Sequence, residues 1–162
     1  MQVEVMKMKT LIAYFSWSNN TKKLVDKINE KKKYDVIRIE RAIPYSDDYD
    51  ICAYKEAKEE VNKRIHPAIK PLDIDFGNYD QILLFFPIWW YTCPMPISTF
   101  IESIKGYKGK VYIFANSYTN DSQYMINSMK DLRKIDQNIE FKEGLFNKSE
   151  EEHIQFIESE EI

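Results

Sequence analysis

The first strong feature of the chain is an apolar run, Leu11, Ile12, Ala13, Tyr14 and Phe15, that breaks off at a hydroxyl. Five consecutive apolar residues are too short for a helix and read as a strand buried on both faces, as in a parallel sheet. Leu24, Val25 and Ile28 then recur at helical spacing, which predicts a helix over about 20–32 ending in Lys31, Lys32 and Lys33. The same alternation repeats down the chain. Val36, Ile37 and Ile39, interrupted by Arg38, make a second strand. Ile82–Phe86 is a third, Val111–Ala115 a fourth, and the alternating Ile139, Glu140, Phe141 and Lys142 a fifth. Between them, helices are predicted on Tyr54, Ala57, Val61 and Ile65, on Ile97, Phe100, Ile101 and Ile104, and on Met125, Met129 and Leu132. Ser149–Ile162 suits a last, acidic helix with Ile154 and Ile157 docked and a frayed end. Strand and helix in turn, without an internal repeat or a linker, specify one doubly wound α/β domain over 1–162. The first, third and fourth strands are wholly apolar, while the second and fifth carry charge. Strand order 2-1-3-4-5 buries the first group and leaves the second at the edges, so that order is predicted. Residues 1–9 read as a loose leader, and 42–71, with Pro44 to Asp48 announcing a loop, as a helical insertion.

In an open α/β sheet, ligands bind outside the carboxyl ends of the strands, where the strand order reverses. That places three loops together. Ser16, Trp17, Ser18, Asn19, Asn20 and Thr21 bring three hydroxyls and two side-chain amides to a helix N-terminus, which suits a phosphate dianion. Ordinary helix capping by the same residue types is the plain alternative. Pro87, Ile88, Trp89, Trp90 and Tyr91 carry aromatic side chains into a loop, where they call for something flat and apolar to cover them. Their alternative is to fold back into the core or to line an oligomer interface. Asn116, Ser117 and Tyr118 add a polar rim. Neither the nucleoside-triphosphate P-loop pattern nor the dinucleotide Gly-x-Gly-x-x-Gly pattern occurs.

Ser16-x-Ser18-x-x-Thr21 after a hydrophobic first strand resembles the phosphate loop of flavodoxin-like proteins. Pro87-Ile88-Trp89-Trp90 followed by Pro94-Met95-Pro96 resembles the second flavin loop of a short bacterial flavodoxin-like subfamily. Pro44-Tyr45-Ser46-x-Asp48-Tyr49, ending in Arg64-Ile65-His66-Pro67-Ala68-Ile69, is similar to that subfamily's helical insertion. The resemblance covers about residues 10–146. It implies a flavodoxin-like fold and a non-covalent flavin mononucleotide (FMN). Ser16, Ser18, Asn19, Asn20 and Thr21 would hold the phosphate, Pro87 to Trp90 would face the ring, and Asn116 and Ser117 would lie on its far side. Two departures stand out: Asn19 replaces the usual Gly, and Tyr118-Thr119-Asn120-Asp121 replaces a Gly-rich third loop. The implied function is a redox protein passing electrons through the flavin. Its rivals are an NAD(P)H-dependent quinone or FMN reductase of the same fold, and a degenerate binding module without flavin.

Composition narrows the partners. A net charge of -3 gives no field for nucleic acid and argues against an anionic membrane surface. The longest apolar run, Ile82–Tyr91, contains Pro87 and is far too short for a span. Cys52 and Cys93 form no Cys-x-x-Cys motif, and nothing before Thr10 has the apolar core of a signal peptide, so a cytoplasmic protein is expected. No acid, base, nucleophile or metal-ligand set in the three loops stands out, and no catalytic or metal residue is nominated. The redox donor and acceptor, a protein, a small quinone or NAD(P)H, stay open. The loop 87–94 holds no Gly, so left-handed backbone there is expected to cost ~1–2 kcal/mol and to bias the protein toward two-electron transfer.

Overall fold

A computed structural model describes residues 8–162; most of the expected leader 1–9 lies outside the described residues. Strands β1 (Thr10–Tyr14), β2 (Asp35–Arg38), β3 (Gln81–Pro87), β4 (Lys110–Asn116) and β5 (Glu140–Phe146) form one parallel sheet in the order β2-β1-β3-β4-β5. This is the predicted order, and the cause is the predicted one. The three apolar strands occupy the centre, where β1 is buried at every position, and charge-bearing β2 and β5 form the edges.

Alternate residues of the central strands feed two cores. Leu11, Ala13, Leu84, Phe86, Val111 and Ile113 meet one face together with Phe100, Ile101, Met129 and Leu132. These last come from α3 (Met95–Ser103) and α4 (Gln123–Ile135). Ile12, Tyr14, Leu83, Phe85, Tyr112 and Phe114 face the other way, onto Val25 and Ile28 of α1 (Asn20–Lys32) and Ile157 of α5 (Glu150–Ser159). The period-two geometry of a strand divides each apolar run between two helical layers, which is why these strands show no polar alternation. Ser149 opens α5 with a capping box to Glu152. The chain end is tied down: Tyr34 Oη donates to the Ile162 carbonyl at 2.9 Å, and Ile162 N donates to Ile157 O.

β5 runs past the expected Lys142 to Phe146 because of Gly144. A Cβ there would lie 2.5 Å from the Ile113 carbonyl, where the β4–β5 register shifts. A bulge absorbs the extra residue, and only Gly fits it.

The excursion after β2 starts and finishes at one point, since Arg41 pairs antiparallel with Ile69 and Ala42 N donates to Ala68 O. Its helix buries Ala57 and Val61 of the expected face but turns Tyr54 and Ile65 out of it. Ile51–Ala57 is wound as a π-helix and continues into α2 (Lys58–Lys63). The i→i+5 bond from Lys58 N to Ala53 O widens the turn. Residues five apart therefore share a side: Cys52 and Ala57 are buried, whereas Tyr54 and Ile65 are exposed. Beneath it, Arg41 reaches both Glu56 and Glu60, and the Tyr45 hydroxyl bonds to Glu60. Burial pushes the Glu60 carboxyl up. Arg64, left-handed at φ 53, caps α2.

Candidate functional site

The three loops converge as the topology requires, at the carboxyl ends of β1, β3 and β4. The first turns sharply after β1. Asn19, at φ 68, supplies the left-handed turn, and its own side chain caps no α1 amide. The first turn of α1 carries no acidic residue, so its free N–H groups meet no competing negative charge. Ser16 is buried, with its Oγ accepting from Lys22 N at 3.4 Å, while Ser18, Asn19 and Asn20 are exposed. Thr21 is buried and its Oγ1 donates to Asn116 Oδ1 at 2.9 Å, which ties the first loop to the third.

Arg38 completes this loop and was missed from the sequence. Its Nη2 donates to Ser16 O at 3.0 Å and to Asn19 Oδ1 at 3.1 Å. Both partners are neutral oxygens, so the guanidinium braces the turn without spending its charge on a carboxylate. The signal was present: Arg38 is the one charge that interrupts an apolar strand at its carboxyl end, the end that faces the strand-order reversal.

In the second loop, Trp89 and Thr92 pair across a tight hairpin, with Trp89 N donating to Thr92 O at 2.9 Å. Trp90 and Tyr91 occupy its two central positions at φ 50 and 73. Left-handed backbone thus occurs in this loop although it holds no Gly. A two-residue hairpin turn of this hand requires positive φ at both centres, and the closing bridge with the side-chain anchors imposes it. Trp89 lies edge-on between Phe15 and Tyr45, 5.1 Å from each ring, against the core. Trp90 turns the other way. Its Nε1 donates to Ala53 O at 2.7 Å, Tyr54 lies 5.4 Å from its ring and Lys58 Nζ 5.2 Å above it. Trp17 from the first loop makes a matching bond, Nε1 to Ser46 O at 3.1 Å. Two indoles from two different loops thus clasp the excursion through its backbone carbonyls.

The third loop is held from β5. Asn147, at φ 54, accepts from Ser117 N through Oδ1 at 2.6 Å, and its own N–H donates to Ala115 O. Ile88 N donates to Asn116 O at 2.8 Å, joining the second loop to the third. Tyr118 projects into solvent.

These loops and the excursion enclose a pocket of about 580 Å³, within the range of a small-molecule site. Of the nominated residues, Trp17, Ser18, Asn20, Pro87, Ile88, Trp89, Trp90, Tyr91, Asn116, Ser117 and Tyr118 line it. Ser16 lines instead a neighbouring cavity of about 440 Å³ with Arg38, Arg41 and Lys70. Asn19 and Thr21 line neither and shape the turn. Sequence reading missed the excursion's share of the wall, Tyr49, Cys52, Ala53, Tyr54 and Ala57, together with Thr119 and Tyr124. The π-turn that aims them has no simple periodicity to read. Neither cysteine is poised for chemistry: burial pushes the Cys52 and Cys93 thiols up to about 12. Among the described residues no cluster suits a metal ion, and no helix is long and apolar enough to cross a membrane.

A flavodoxin family model matches residues 9–159. The chain belongs to the flavodoxin family. A flavoprotein of Lactobacillus acidophilus NCFM, solved in complex with FMN, is 28% identical; the match covers 86% of this chain and 93% of that one with a TM-score of 0.74. The NMR structure of its apo-form is similar at 29% identity and a TM-score of 0.66, covering 88% and 93%. A protein of Bacteroides eggerthii DSM 20697 is 29% identical, with a TM-score of 0.81 over 94% of this chain and 98% of that one. No curated protein matches the chain.

Proposed function

We propose that this flavodoxin-family chain binds FMN without a covalent bond and serves as a redox protein, transferring electrons through the flavin. One observation carries the reading: an uncharged, aromatic pocket opens directly beside a helix N-terminus whose loop is rich in hydroxyls and amides and braced by Arg38. A dianion on a flat ring system needs those two environments side by side. The FMN complex of the Lactobacillus acidophilus flavoprotein supports the assignment.

In this reading Ser16, Ser18, Asn20 and the first amides of α1 bind the phosphate, with Asn19 shaping their turn and Thr21 locking it to Asn116. Pro87, Ile88, Trp89, Trp90 and Tyr91 flank the ring on one side, and Asn116, Ser117 and Tyr118 on the other. Bound FMN supplies reversible one- or two-electron chemistry, and the protein's part is binding, orientation and exclusion of water. Trp17 and Trp90 exclude water by holding the excursion over the pocket.

The test is direct. Purified protein should carry the yellow flavin absorbance or acquire it on adding FMN, and riboflavin, lacking the phosphate, should bind at least roughly tenfold more weakly. Failure to bind either ligand would leave a binding module without flavin; equal affinity for both would remove the phosphate seat. Steady-state oxidation of NAD(P)H with an added quinone separates a reductase from an electron carrier.

A further inference from the structure

We propose that Asn127 and Asp131, which share one stripe of α4, are positioning residues for the flavin ring: they hold the turn at Trp90 and Tyr91 in its left-handed form and so set the direction of the pocket's aromatic wall. This rests on the FMN reading above, since that wall is the ring's side of the site. Neither residue lines the pocket itself.

The turn needs support from outside itself. Trp90 and Tyr91 are bulky residues at φ 50 and 73, a region that Gly enters without steric cost and that large side chains do not. The bridge that closes the turn is tight on one side, 2.9 Å from Trp89 N to Thr92 O, and loose on the other, 3.4 Å from Thr92 N to Trp89 O. Trp90 has an anchor of its own in the Ala53 carbonyl. Tyr91 depends on its surroundings: its side chain is 62% exposed, with the Tyr124 ring of α4 lying 5.9 Å away.

The missing hold comes from α4. Gln123, Asn127 and Asp131 follow at intervals of four and stand on one face of the helix. Gln123 Nε2 donates to Asn127 Oδ1 at 3.0 Å, which orients the amide, and Asn127 Nδ2 donates to Tyr91 O at 2.9 Å. The peptide between Tyr91 and Thr92 is thus gripped at both ends, its carbonyl by Asn127 and its N–H by Trp89 O. One turn further on, Asp131 Oδ2 accepts from Thr92 Oγ1 at 2.6 Å and from Arg64 Nη1 at 2.8 Å. Thr92 is buried and the Asp131 side chain is only 14% exposed, so the first of these bonds is sheltered. The Arg64 side chain is 56% exposed, and its ion pair adds little.

These residue types suit the hairpin better than they suit the helix that carries them. Asn and Asp are weak helix formers, because their short polar side chains compete for backbone groups, yet both stand inside α4. Their bonds reach the hairpin, one to its main chain and one to the Thr92 hydroxyl. Trp90 and Tyr91 both line the pocket, and the backbone between and after them carries both rings. A turn of the peptide that Asn127 holds therefore swings the wall as a whole.

Flavin titrations of Asn127→Leu and Asp131→Leu test this. FMN and riboflavin should each bind about fivefold more weakly in either variant, the loss expected for one hydrogen bond. The two losses should be equal, because the phosphate loop is untouched. Asp131→Asn keeps an acceptor for Thr92 and should stay near wild type. Emission of the bound flavin, quenched by the electron-rich indoles of the wall, should rise in both leucine variants, which a mere loss of stability would not cause. In the flavin-free protein the Trp89 and Thr92 amides should exchange faster in both. Unchanged affinity, a loss confined to FMN, a loss with unchanged emission, or an Asp131→Asn variant as weak as Asp131→Leu overturns the proposal. If the wild-type protein takes up no FMN, the FMN reading fails by itself. Amide exchange on the flavin-free chain then decides whether α4 holds the turn, and equal rates in wild type and variants overturn it.

Discussion

Arg38 is the residue through which the proposed phosphate loop can be interrogated without touching the aromatic pocket. Replacing it with Gln removes a guanidinium that donates at 3.0 Å to Ser16 O and at 3.1 Å to Asn19 Oδ1. Hydrogen bonds from a charged donor contribute about 1.5–3 kcal/mol each when sheltered. The Ser16 bond is part-buried and keeps the lower end of that range; the Asn19 bond is exposed and is discounted to about a third. Together they hold the loop by about 2 kcal/mol, or roughly thirtyfold in the equilibrium constant between the turned and unturned loop. FMN and riboflavin should both lose affinity through that disorder, and FMN should lose more, because the positive charge attracts only the ligand that carries phosphate. The assay is a pair of fluorescence titrations at low and high salt. The FMN-to-riboflavin affinity ratio should fall severalfold in Arg38→Gln and partly recover in Arg38→Lys, and added salt should narrow the gap. Equal losses for the two ligands would reduce Arg38 to a structural brace. An unchanged FMN affinity would refute the reasoning altogether.

Trp90→Phe removes the indole N–H that reaches Ala53 O at 2.7 Å but keeps a ring, so hydrogen exchange over 51–58 should quicken and FMN dissociation should accelerate, on the order of three- to tenfold for one hydrogen bond; an unchanged rate would mean the excursion needs no clasp. His153 is buried with no partner for Nε2 among the described residues, and burial holds its imidazole below the usual range, so the folded state resists protonation. Stability should therefore be full above the ordinary histidine value and fall as pH drops from about 6.5 toward the depressed folded value, and denaturant titrations of His153→Leu should show that slope reduced. Gly144→Ala drives a Cβ to 2.5 Å from the Ile113 carbonyl and 2.7 Å from the Phe114 ring, which should cost about 1–3 kcal/mol by thermal melting; a melting point equal to wild type would show that β5 slides without penalty.

The sequence by itself determined the sheet. Wholly apolar runs at 11–15, 82–86 and 111–115 have to be buried on both faces, and the charged runs around Arg38 and Lys142 have to be at the edges. Strand order, the meeting of three loops at the reversal and the turn at Asn19 follow from that, because burial and local backbone preference are written residue by residue. What tertiary structure alone decided is how distant side chains spend their polar groups and how the backbone bends to let them. Arg38 looked like an edge-strand charge until the fold brought Ser16 and Asn19 to it. Trp90 and Tyr91 have no local reason to be left-handed; the Trp89–Thr92 bridge and the bond to Ala53 hold them so. The excursion's helix carried a regular 3.6-residue pattern on Tyr54, Ala57, Val61 and Ile65, yet burial of Cys52 with Ala57 won and wound it as a π-helix, which turned Tyr54 out to the pocket mouth. Periodicity records which residues are apolar, but which of them a core accepts depends on the neighbours that packing supplies.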